Sequence, residues 1–386
     1  MLSPFILLYL LFHFTGTDPV SFEEQVIDNN ISIGYGLALG DVDGDGKPDI
    51  LLADKKQFVW YRNGDWKKFL LAENLTAHDN VCIAARDIDG DGKVEIAVGA
   101  QWNPSETSNI AQSGSVHYLV RPADVTRQWT AVSLPHEPTV HRMKWLQSSQ
   151  GKFYLLVAPL HGRGNINGAG AGANIIAYEY PGNINKKWPM HVLDTSMHLT
   201  HNFCIVESKD QRDSGFYLAG KEGVKFIGGN LNGGLQSPAK NIPCVEFAAG
   251  EIKTGKAAPG KHFIVTVEPM HGDKIVIYRP GENGYRSVID DNIKEGHALA
   301  VADFLGTGTD QVIAGWRAPN RDSLTGIKLY IKKEGVENQW ESRWVDRNGI
   351  ACEDMQVMDL NQDGKPDIVA SGRATHNIKI YWNRSK

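Results

Sequence analysis

The sequence predicts an all-β protein, a seven-bladed β-propeller. Three observations carry this prediction. An aspartate- and glycine-rich loop recurs along the chain, each copy lies between two apolar segments, and the same pair of segments appears three more times without the loop. One supersecondary unit repeated along a chain indicates a propeller, a solenoid or an array. The 40 glycines and the scarcity of long helical patterns favour many short strands joined by turns.

The recurring loop appears first as DVDGDGKPD at residues 41–49 and again as DIDGDGKVE at residues 87–95. A third copy, DLNQDGKPD, covers residues 359–367, and a degenerate copy, DFLGTGTD, covers residues 303–310. Each copy follows an apolar segment such as YGLALG and precedes a second one such as DILLA. Because short apolar runs bounded by turn residues are typical of strands, each copy is predicted to join the two strands of a hairpin.

Three further hairpins show the hydrophobic pattern without the loop: HRMKWL with FYLLVA, HNFCIV with FYLAG, and VEFAAG with FIVTV. A third strand follows each hairpin, and usually a fourth that carries an aromatic residue, as in FVWYRNGDWKKFLL. Four antiparallel strands repeated seven times are the blades of a propeller. The last repeat ends one strand short, so we expect the N-terminal SFEEQVID to complete it and close the ring, which removes exposed edges.

The beginning of the chain predicts export. The apolar run MLSPFILLYLLFHF has the length of a signal-peptide core and is too short to span a membrane. We therefore expect a signal peptide at residues 1–18, a single propeller domain at residues 21–384, no membrane span, and a secreted, periplasmic or extracellular location. The net charge of -5 without a long basic run argues against nucleic acid as a partner, and the oligomeric state stays open.

Two of the loops carry a family resemblance. The segments GDVDGDGKPDILLA and MDLNQDGKPDIVASG resemble FG-GAP/VCBS repeats, found in the calcium-loop propellers of integrin α-subunits and many secreted bacterial proteins. The resemblance extends over nearly the whole chain after the leader. It implies a propeller with calcium in its loops, and it says little about function because propellers host many activities.

The loops offer the hard oxygen ligands that calcium prefers. Since they repeat and contain no histidine or other candidate base, we interpret them as structural sites rather than catalytic ones. The degenerate copy has Leu305 and Thr307 at ligand positions, so no metal is expected there. The predicted calcium ligands are Asp41, Asp43, Asp45 and Asp49 in the first loop, Asp87, Asp89, Asp91 and Glu95 in the second, and Asp359, Asn361, Asp363 and Asp367 in the third.

The opposite face is predicted to be the functional one. Each first strand ends at its loop, so the strand starts converge on the other face at the mouth of the central channel, where polar side chains gather. The predicted catalytic residues are His141, His201, His161, His297, Arg142, Arg163 and Arg317. The predicted substrate-binding residues are Trp102, Trp316, Asn202, Lys221, His271 and Arg373. A second set, His78, Asp79, His297 and Glu353, is a candidate site for zinc, manganese or magnesium.

Histidines beside arginines suit acid–base chemistry on a substrate that forms an oxyanion. The sequence thus predicts β-elimination from a keto-sugar or a uronic-acid-containing glycan, with His141 or His201 as the base. In general plan and length the chain is similar to the propeller domain of aldos-2-ulose dehydratase and to propeller polysaccharide lyases. The alternative is a non-catalytic propeller, integrin-like or lectin-like, that binds glycans or proteins on the same face.

Overall fold

A computed structural model describes residues 20–148, 150–207, 215–228, 240–242, 245–280, 285–333, 335–336 and 339–386. Within these ranges the chain forms 28 strands in seven four-stranded antiparallel sheets. The predicted seven-bladed propeller is confirmed. The expected signal peptide lies outside the described residues. The described part of the chain contains no helix with the length and hydropathy needed to cross a membrane.

The strands follow one another around the ring. Strand β1 (Phe22–Asp28) belongs to the last blade. Blade 1 contains β2 (Gly36–Gly40), β3 (Asp49–Ala53), β4 (Gln57–Tyr61) and β5 (Lys68–Glu73), and blade 2 contains β6 (Cys82–Arg86), β7 (Glu95–Ala100), β8 (Ser115–Val120) and β9 (Thr130–Leu134). Blade 3 contains β10 (Val140–Gln147), β11 (Phe153–Pro159), β12 (Ile175–Glu179) and β13 (Met190–Asp194). Blade 4 contains β14 (Thr200–Val206), β15 (Gly215–Gly220), β16 (Gly223–Gly228) and β17 (Lys240–Asn241).

The remaining blades have the same order. Blade 5 contains β18 (Glu251–Ala258), β19 (Lys261–Glu268), β20 (Lys274–Arg279) and β21 (Tyr285–Asp290). Blade 6 contains β22 (Gly296–Ala302), β23 (Gln311–Trp316), β24 (Gly326–Lys332) and β25 (Trp340–Arg347). Blade 7 contains β26 (Cys352–Met358), β27 (Asp367–Gly372), β28 (Asn377–Asn383) and, as its outer strand, β1.

The ring closes through the N-terminal strand, as the sequence predicts. Strand β1 pairs antiparallel with β28, and Gln25 stands opposite Ile380. The indole nitrogen of Trp382 donates to the side chain of Gln25 at 2.8 Å. Because β1 pairs with β28, the first and the last strand of the described chain belong to one sheet. Neither strand has unpaired backbone groups on the side where the two meet.

The strand register puts the acidic loops and the strand starts on opposite faces. In blade 1, Gly40 stands opposite Asp49 beside the loop, whereas Gly36 stands opposite Ala53 at the far end. The first strands of neighbouring blades contact one another around the ring, β2 against β6 and β22 against β26 among them. The starts of the first strands therefore converge at one mouth of the central channel.

Adjacent blades pack through buried hydrophobic clusters and share polar contacts at their outer edges. The hydroxyl of Tyr381 on β28 donates to Asp346 on β25 at 2.7 Å, and Lys379 lies 3.0 Å from the same carboxylate. Tyr61 on β4 donates in the same way to Asp28 on β1 at 2.7 Å. An aspartate near the end of a fourth strand thus satisfies the buried tyrosine of the next blade.

One strand prediction was wrong. The first strand of blade 5 is β18, Glu251–Ala258, and not the VEFAAG segment at residues 245–250. Strand β18 pairs with β19 through the turn that contains Gly260, whose φ of +71° suits glycine. At the start of this segment Glu251 and Lys253 face the channel, whereas Ile252 between them packs in the core. The more apolar VEFAAG segment misled the sequence assignment, and Gly250 and Glu251 occupy the positions expected for Val245 and Glu246.

Candidate functional site

A cavity of about 210 Å³ opens at the channel mouth on the face opposite the acidic loops. Its walls combine histidine, arginine and aromatic side chains from several blades. They are Tyr35, Val81, Trp102, His141, Arg142, Leu160, His201, His271, His297, Arg317, Glu353 and Arg373. The structure therefore brings together eight residues that the sequence singles out as catalytic or substrate-binding.

Irregularities in the first strands aim several of these side chains at the cavity. In blades 3, 6 and 7 the pairing register shifts at the positions of His141, His297 and Glu353, and in blade 4 it shifts between Thr200 and Phe203, which flank His201 and Asn202. A β-bulge bends its strand locally and redirects the extra residue. The polar residues at these strand starts face the mouth for this reason.

Three of the histidines are held in the same way. The Nδ1 atom of His141 lies 2.9 Å from the carbonyl oxygen of His201, and Nδ1 of His201 lies 2.9 Å from that of Gly250. The Nδ1 atom of His297 lies 2.6 Å from the carbonyl oxygen of Glu353. A carbonyl oxygen only accepts, so each Nδ1 carries a proton and donates to the strand start of the next blade. In the neutral rings, Nε2 is left as the acceptor.

His271 completes a cluster with two of these rings. It lies in the loop between β19 and β20 with a φ of +52°, a backbone conformation uncommon for residues with a side chain. Its Nε2 atom is 2.7 Å from Nε2 of His201. One nitrogen from each of His201, His271 and His297 lies within 4.8 Å of the other two.

The clustered imidazoles favour their neutral forms. Burial lowers the pKa of His141 and of His297 well below the usual value for histidine, with further lowering by His201 for the former and Arg317 for the latter. Burial, together with His201 and Arg317, lowers the pKa of His271 to about 3. These rings therefore stay unprotonated around neutral pH, and each keeps a nitrogen lone pair that can take a proton or bind a metal.

Glu353 organises two arginines at the cavity wall. Arg317 donates through Nη1 to both carboxylate oxygens at 3.0 and 2.8 Å, and Arg373 donates at 3.0 Å. The side chain of Glu353 is only 2% exposed, and Arg317 also contacts the carboxylate of Glu295 at 2.9 Å. Since the Glu353 carboxylate is occupied by arginines, it is not available as the metal ligand that the sequence suggests.

The other members of the expected mixed metal site are also engaged elsewhere. Asp79 accepts a hydrogen bond from the hydroxyl of Tyr35 at 3.2 Å. Burial and the Asp79 charge raise the pKa of Tyr35 to about 12, so this phenol keeps its proton. His78 is half-buried outside the cavity lining, and its backbone nitrogen donates to the side chain of Gln101 at 3.2 Å. The structure groups His297 with His201 and His271 instead of with His78 and Asp79.

A second polar layer lies beneath the histidines in the channel. Asn202 donates to Glu251 at 2.7 Å, so this predicted substrate-binding residue supports the layer below the cavity. Arg142 lines both layers and lies 3.8 Å from Asp354. Burial opposes ionisation of Glu251, yet the nearby His201 and Arg142 hold its pKa down to about 2. Sequence reasoning missed Glu251 because it misplaced β18, although Glu251 and Lys253, two positions apart on either side of Ile252, could have marked the channel side of the strand.

Two predicted substrate-binding residues lie away from the cavity. Trp316 is completely buried in the core between blades, and its indole nitrogen donates to the carbonyl of Leu324 at 2.9 Å. A sugar has no access to its ring, which corrects the expected stacking role. Lys221 donates to the carbonyl of Gly168 at 3.0 Å and does not line the cavity. Trp102 does line it and stacks on the ring of His141, with centroids 5.0 Å apart.

Two predicted catalytic residues are also outside the cavity lining. His161 forms an isolated bridge with Leu199, and burial lowers the pKa of its ring. Arg163 is exposed and forms an ion pair with Glu137 at 2.9 Å. Both follow β11 in the sequence, and the connection to β12 carries them over the rim of the blade rather than into the channel. Their positions correct the expectation that His161 and Arg163 act at the channel mouth.

The first acidic loop has the geometry of a cation site. The carboxylate of Asp41 accepts from the backbone nitrogens of Gly44 and Gly46 at 2.6 and 2.7 Å, which curls the loop. Asp41, Asp43 and Asp45 each place one carboxylate oxygen within 4.8 Å of the other two. Two ligands on opposite sides of a calcium ion, each about 2.4 Å from it, would be separated by this distance. Burial and the charges of Asp43 and Asp41 raise the pKa of the fully buried Asp49 to about 7.

The second loop repeats this oxygen cluster, and the third repeats its hydrogen bonds. Oxygens of Asp87, Asp89 and Glu95 cluster within 4.8 Å, and burial with the charges of Asp89 and Asp91 raises the pKa of Glu95 to about 7. Arg121 contacts both Asp91 and Glu95 at 2.5 Å, so a side-chain cation already offsets part of this charge. Corresponding hydrogen bonds order the third loop, where Asp359 accepts from Gly364, Asn361 accepts from Asp363, and Asp367 accepts from Leu360.

Sequence comparisons identify the repeats. The FG-GAP-like repeat model matches residues 41–98, and the FG-GAP repeat model matches residues 83–119. Together the two matches cover the acidic loops of blades 1 and 2 and the strands that follow them. No curated protein matches the chain by sequence.

Solved structures resemble the chain in fold. The WD40 β-propeller domain of Doa1 is 8% identical with a TM-score of 0.56, covering 94% of this chain and 97% of that one. BBS1N in complex with ARL6DN is 12% identical with a TM-score of 0.56, covering 94% and 96%. The extracellular domain of a hybrid two-component system from B. thetaiotaomicron is 12% identical with a TM-score of 0.54, covering 94% of this chain and 39% of that one. At these identities the likeness concerns the fold alone. The chain is therefore a seven-bladed β-propeller that contains FG-GAP repeats within residues 41–119.

Proposed function

We propose that the protein is a carbon–oxygen lyase that performs β-elimination on a small keto-sugar or uronic acid at the channel mouth. The observation that carries this proposal is the fixed orientation and tautomer of the His141 imidazole. Its Nδ1 proton is committed to the carbonyl of His201, so its Nε2 lone pair is presented in a cavity that Arg142 and Arg317 also line. A neutral base beside fixed cations is the arrangement that proton abstraction next to a carbonyl requires.

The size of the cavity favours a small substrate. Its volume of about 210 Å³ lies below the roughly 300–1,000 Å³ that is typical of drug-sized ligand sites. A single sugar ring, or the terminal unit of an acidic glycan, is the appropriate size. A long polysaccharide would need an open groove on both sides of the cleavage point. Between the two substrate classes expected from the sequence, the geometry therefore supports a monosaccharide dehydratase better than an internally cleaving polysaccharide lyase.

The residues in the cavity divide the chemistry between them. His141 takes the proton from the carbon next to the carbonyl, and that electron pair forms the new double bond as the β-oxygen leaves. Arg142 and Arg317 stabilise the negative charge that develops on the carbonyl oxygen. Of the described side chains that line the cavity, Tyr35 alone carries a hydroxyl, and its proton, which bonds Asp79 in the structure, would turn to the leaving oxygen when substrate is bound. The proton held by His141 then returns to Tyr35 through solvent.

We also propose that the three acidic loops bind calcium as structural sites. Burial and neighbouring carboxylates raise the pKa of Asp49 to about 7, and no side-chain cation among the described residues pairs with it, so a bound cation would stabilise its ionised form; at Glu95, Arg121 supplies part of that compensation. Loops of this kind suit an environment rich in calcium, because extracellular calcium modules bind in the range of about 10⁻⁴–10⁻³ M. This agrees with the export that the apolar start of the chain suggests.

The test is an activity screen with matched variants. The protein is incubated with keto-sugars and with short uronic acid oligomers, and the ultraviolet absorbance of an unsaturated product is followed. His141→Gln should lower kcat by roughly 10²–10⁴-fold, the usual contribution of a general base. His376→Gln is the control, because His376 is an exposed histidine whose ring bonds the carbonyl of Ser32 outside the cavity lining.

Two results would contradict the proposed lyase activity. One is the absence of product from every substrate, combined with tight binding of a glycan or protein, which would favour the non-catalytic propeller. The other is activity that survives His141→Gln unchanged, which would remove the residue on which the mechanism rests.

A further inference from the structure

A second arrangement at the channel mouth is independent of the proposed base. His201, His271 and His297 come from three separate blade segments and point one nitrogen each toward a common point, all within 4.8 Å. The Nε2 atoms of His201 and His271 are only 2.7 Å apart. The three rings also contact one another closely, with centroid separations of 4.5, 5.1 and 4.9 Å. At 2.7 Å the Nε2 atoms of His201 and His271 share one proton, which a metal ion would displace, so three ring nitrogens converge here and two of them already exchange a hydrogen bond.

We propose that these three histidines form a binding site for a zinc-class transition metal, with an open coordination position that faces the cavity. In a tetrahedral zinc site with Zn–N distances of about 2.0–2.1 Å, ligand nitrogens lie roughly 3.3 Å apart. The separations here, from 2.7 Å to at most 4.8 Å, bracket that value. Side-chain rotations that move ligand atoms by about an ångström would bring them to it.

The partners of the outer ring nitrogens support this site. Histidines that bind metals usually donate the other N–H to a backbone carbonyl or a carboxylate, which fixes the ring and its tautomer. The Nδ1 of His201 donates to the carbonyl of Gly250 at 2.9 Å, and the carboxylate of Glu251 lies 3.2 Å from the same nitrogen. His297 donates to the carbonyl of Glu353 at 2.6 Å. Two of the three ligands are therefore oriented for metal binding before any metal arrives.

The ligand set decides which metals fit. Three imidazoles without a coordinating carboxylate suit zinc, cobalt, nickel or copper, whereas calcium and magnesium prefer oxygen ligands. The acidic loops on the other face offer oxygen ligands only. The two kinds of site are therefore expected to select different ions, which makes them separable in a single experiment.

The surroundings also indicate the fourth ligand. Sites with three protein ligands keep a position for water or substrate. At the cavity, Arg317 and Arg373 contact Glu353, Arg317 also contacts Glu295, and Arg142 lies 3.8 Å from Asp354, so three arginines face three carboxylates. A divalent ion would leave the cavity with a net positive charge. The open position is thus expected to take an anionic oxygen, such as the carboxylate of a sugar acid or the oxygen of an α-hydroxy ketone.

The test is a cobalt titration of the full-length protein after removal of metals and re-equilibration with excess calcium. One equivalent of Co²⁺ should bind and give the visible absorption of a four- or five-coordinate nitrogen site, and Zn²⁺ should abolish that absorption. His271→Ala should weaken Co²⁺ binding at least 10-fold, while His376→Ala should leave it unchanged. His271→Asp retains a ligand and should restore binding with a shifted spectrum, which separates loss of a ligand from loss of the fold.

The outcomes are decisive for the metal site and separate from those of the lyase screen. Absence of visible cobalt bands, or bands that persist in His271→Ala, would overturn the metal site. The readout is absorption by the metal and needs no turnover. A protein that binds Co²⁺ but forms no unsaturated product would refute the proposed function and leave the metal site standing, and the reverse result would do the opposite.

Discussion

Replacing Glu353 by glutamine removes the charge that holds two arginines at the cavity wall. The side chain of Glu353 is 2% exposed, and its oxygens accept three hydrogen bonds, two from Arg317 and one from Arg373. Breaking a buried ion pair by removing one partner usually costs about 3–5 kcal/mol. Two features reduce that figure here. Glutamine keeps one accepting oxygen, and Arg373, whose side chain is 41% exposed, recovers much of its hydration.

We therefore expect Glu353→Gln to lower the free energy of unfolding by about 2–3 kcal/mol. At about 2.1 cal/mol/K per residue, the unfolding entropy of the 386-residue chain is roughly 0.8 kcal/mol/K, so the melting temperature should fall by about 2.5–4 °C. The position of His297 should not change, because it bonds the backbone carbonyl of Glu353 and not the carboxylate. Thermal unfolding followed by circular dichroism, at a fixed calcium concentration, measures the shift.

The matched control is Glu295→Gln, which removes the other carboxylate on the same arginine. Glu295 contacts Arg317 at 2.9 Å, but its side chain is 46% exposed. An exposed pair of this kind contributes less than about 1 kcal/mol, so the melting temperature should fall by roughly 1 °C or less. Equal shifts for Glu353→Gln and Glu295→Gln would refute the reasoning, because burial would then have no influence on the cost.

Three further predictions concern the loops, the core and the thiols. Millimolar calcium should raise the melting temperature of the wild-type protein. The rise should be smaller for Asp49→Asn and the same as wild type for Asp303→Asn, which changes the degenerate loop. An equal rise in the wild type and both variants would exclude the first loop as a calcium site. Burial lowers the pKa of His117 to about 4, so its contribution is fully present above the unfolded pKa of about 6.5 and is lost as pH falls toward 4. Between pH 7.5 and pH 5.5, wild type should lose roughly 1.3 kcal/mol more stability than His117→Gln, and equal losses in chemical denaturation would contradict this. Burial raises the pKa of Cys82 to about 12, so this thiol should react with a thiol reagent only when the protein unfolds. Peptide mapping of the labelled protein locates the modified cysteine. Rapid labelling of Cys82 in the native protein would refute its burial.

The sequence was sufficient for the architecture because the repeat and the strand periodicity are local signals. Each acidic loop marks the turn of one hairpin, and hairpins of equal pattern must stack into equal blades. The closing strand was also predictable, since the last repeat lacks one strand and SFEEQVID has the pattern of the missing one. The exception is blade 5, where no acidic loop marks the turn and an apolar segment was taken for β18.

The site was predictable only as a set of strand starts. Strand direction and loop position place His141, His201 and His297 on one face, and this much follows from topology. The register shifts that turn these side chains toward the channel, and the hydrogen bonds that leave Nε2 free, are properties of the paired strands. Nothing in the local sequence distinguishes a bulged strand start from a regular one, because the bulge depends on the partner strand.

The amino-acid sequence by itself determined the number of blades, the way the ring closes and the face on which polar residues gather, since these depend on periodicity and order along the chain. The tertiary structure alone decided which of those residues act together. It placed His271 against His201 and His297, turned Glu353 toward two arginines, and buried Trp316 in the core. Such groupings join residues up to about a hundred positions apart, and only the closing of the ring sets the distances between their side chains.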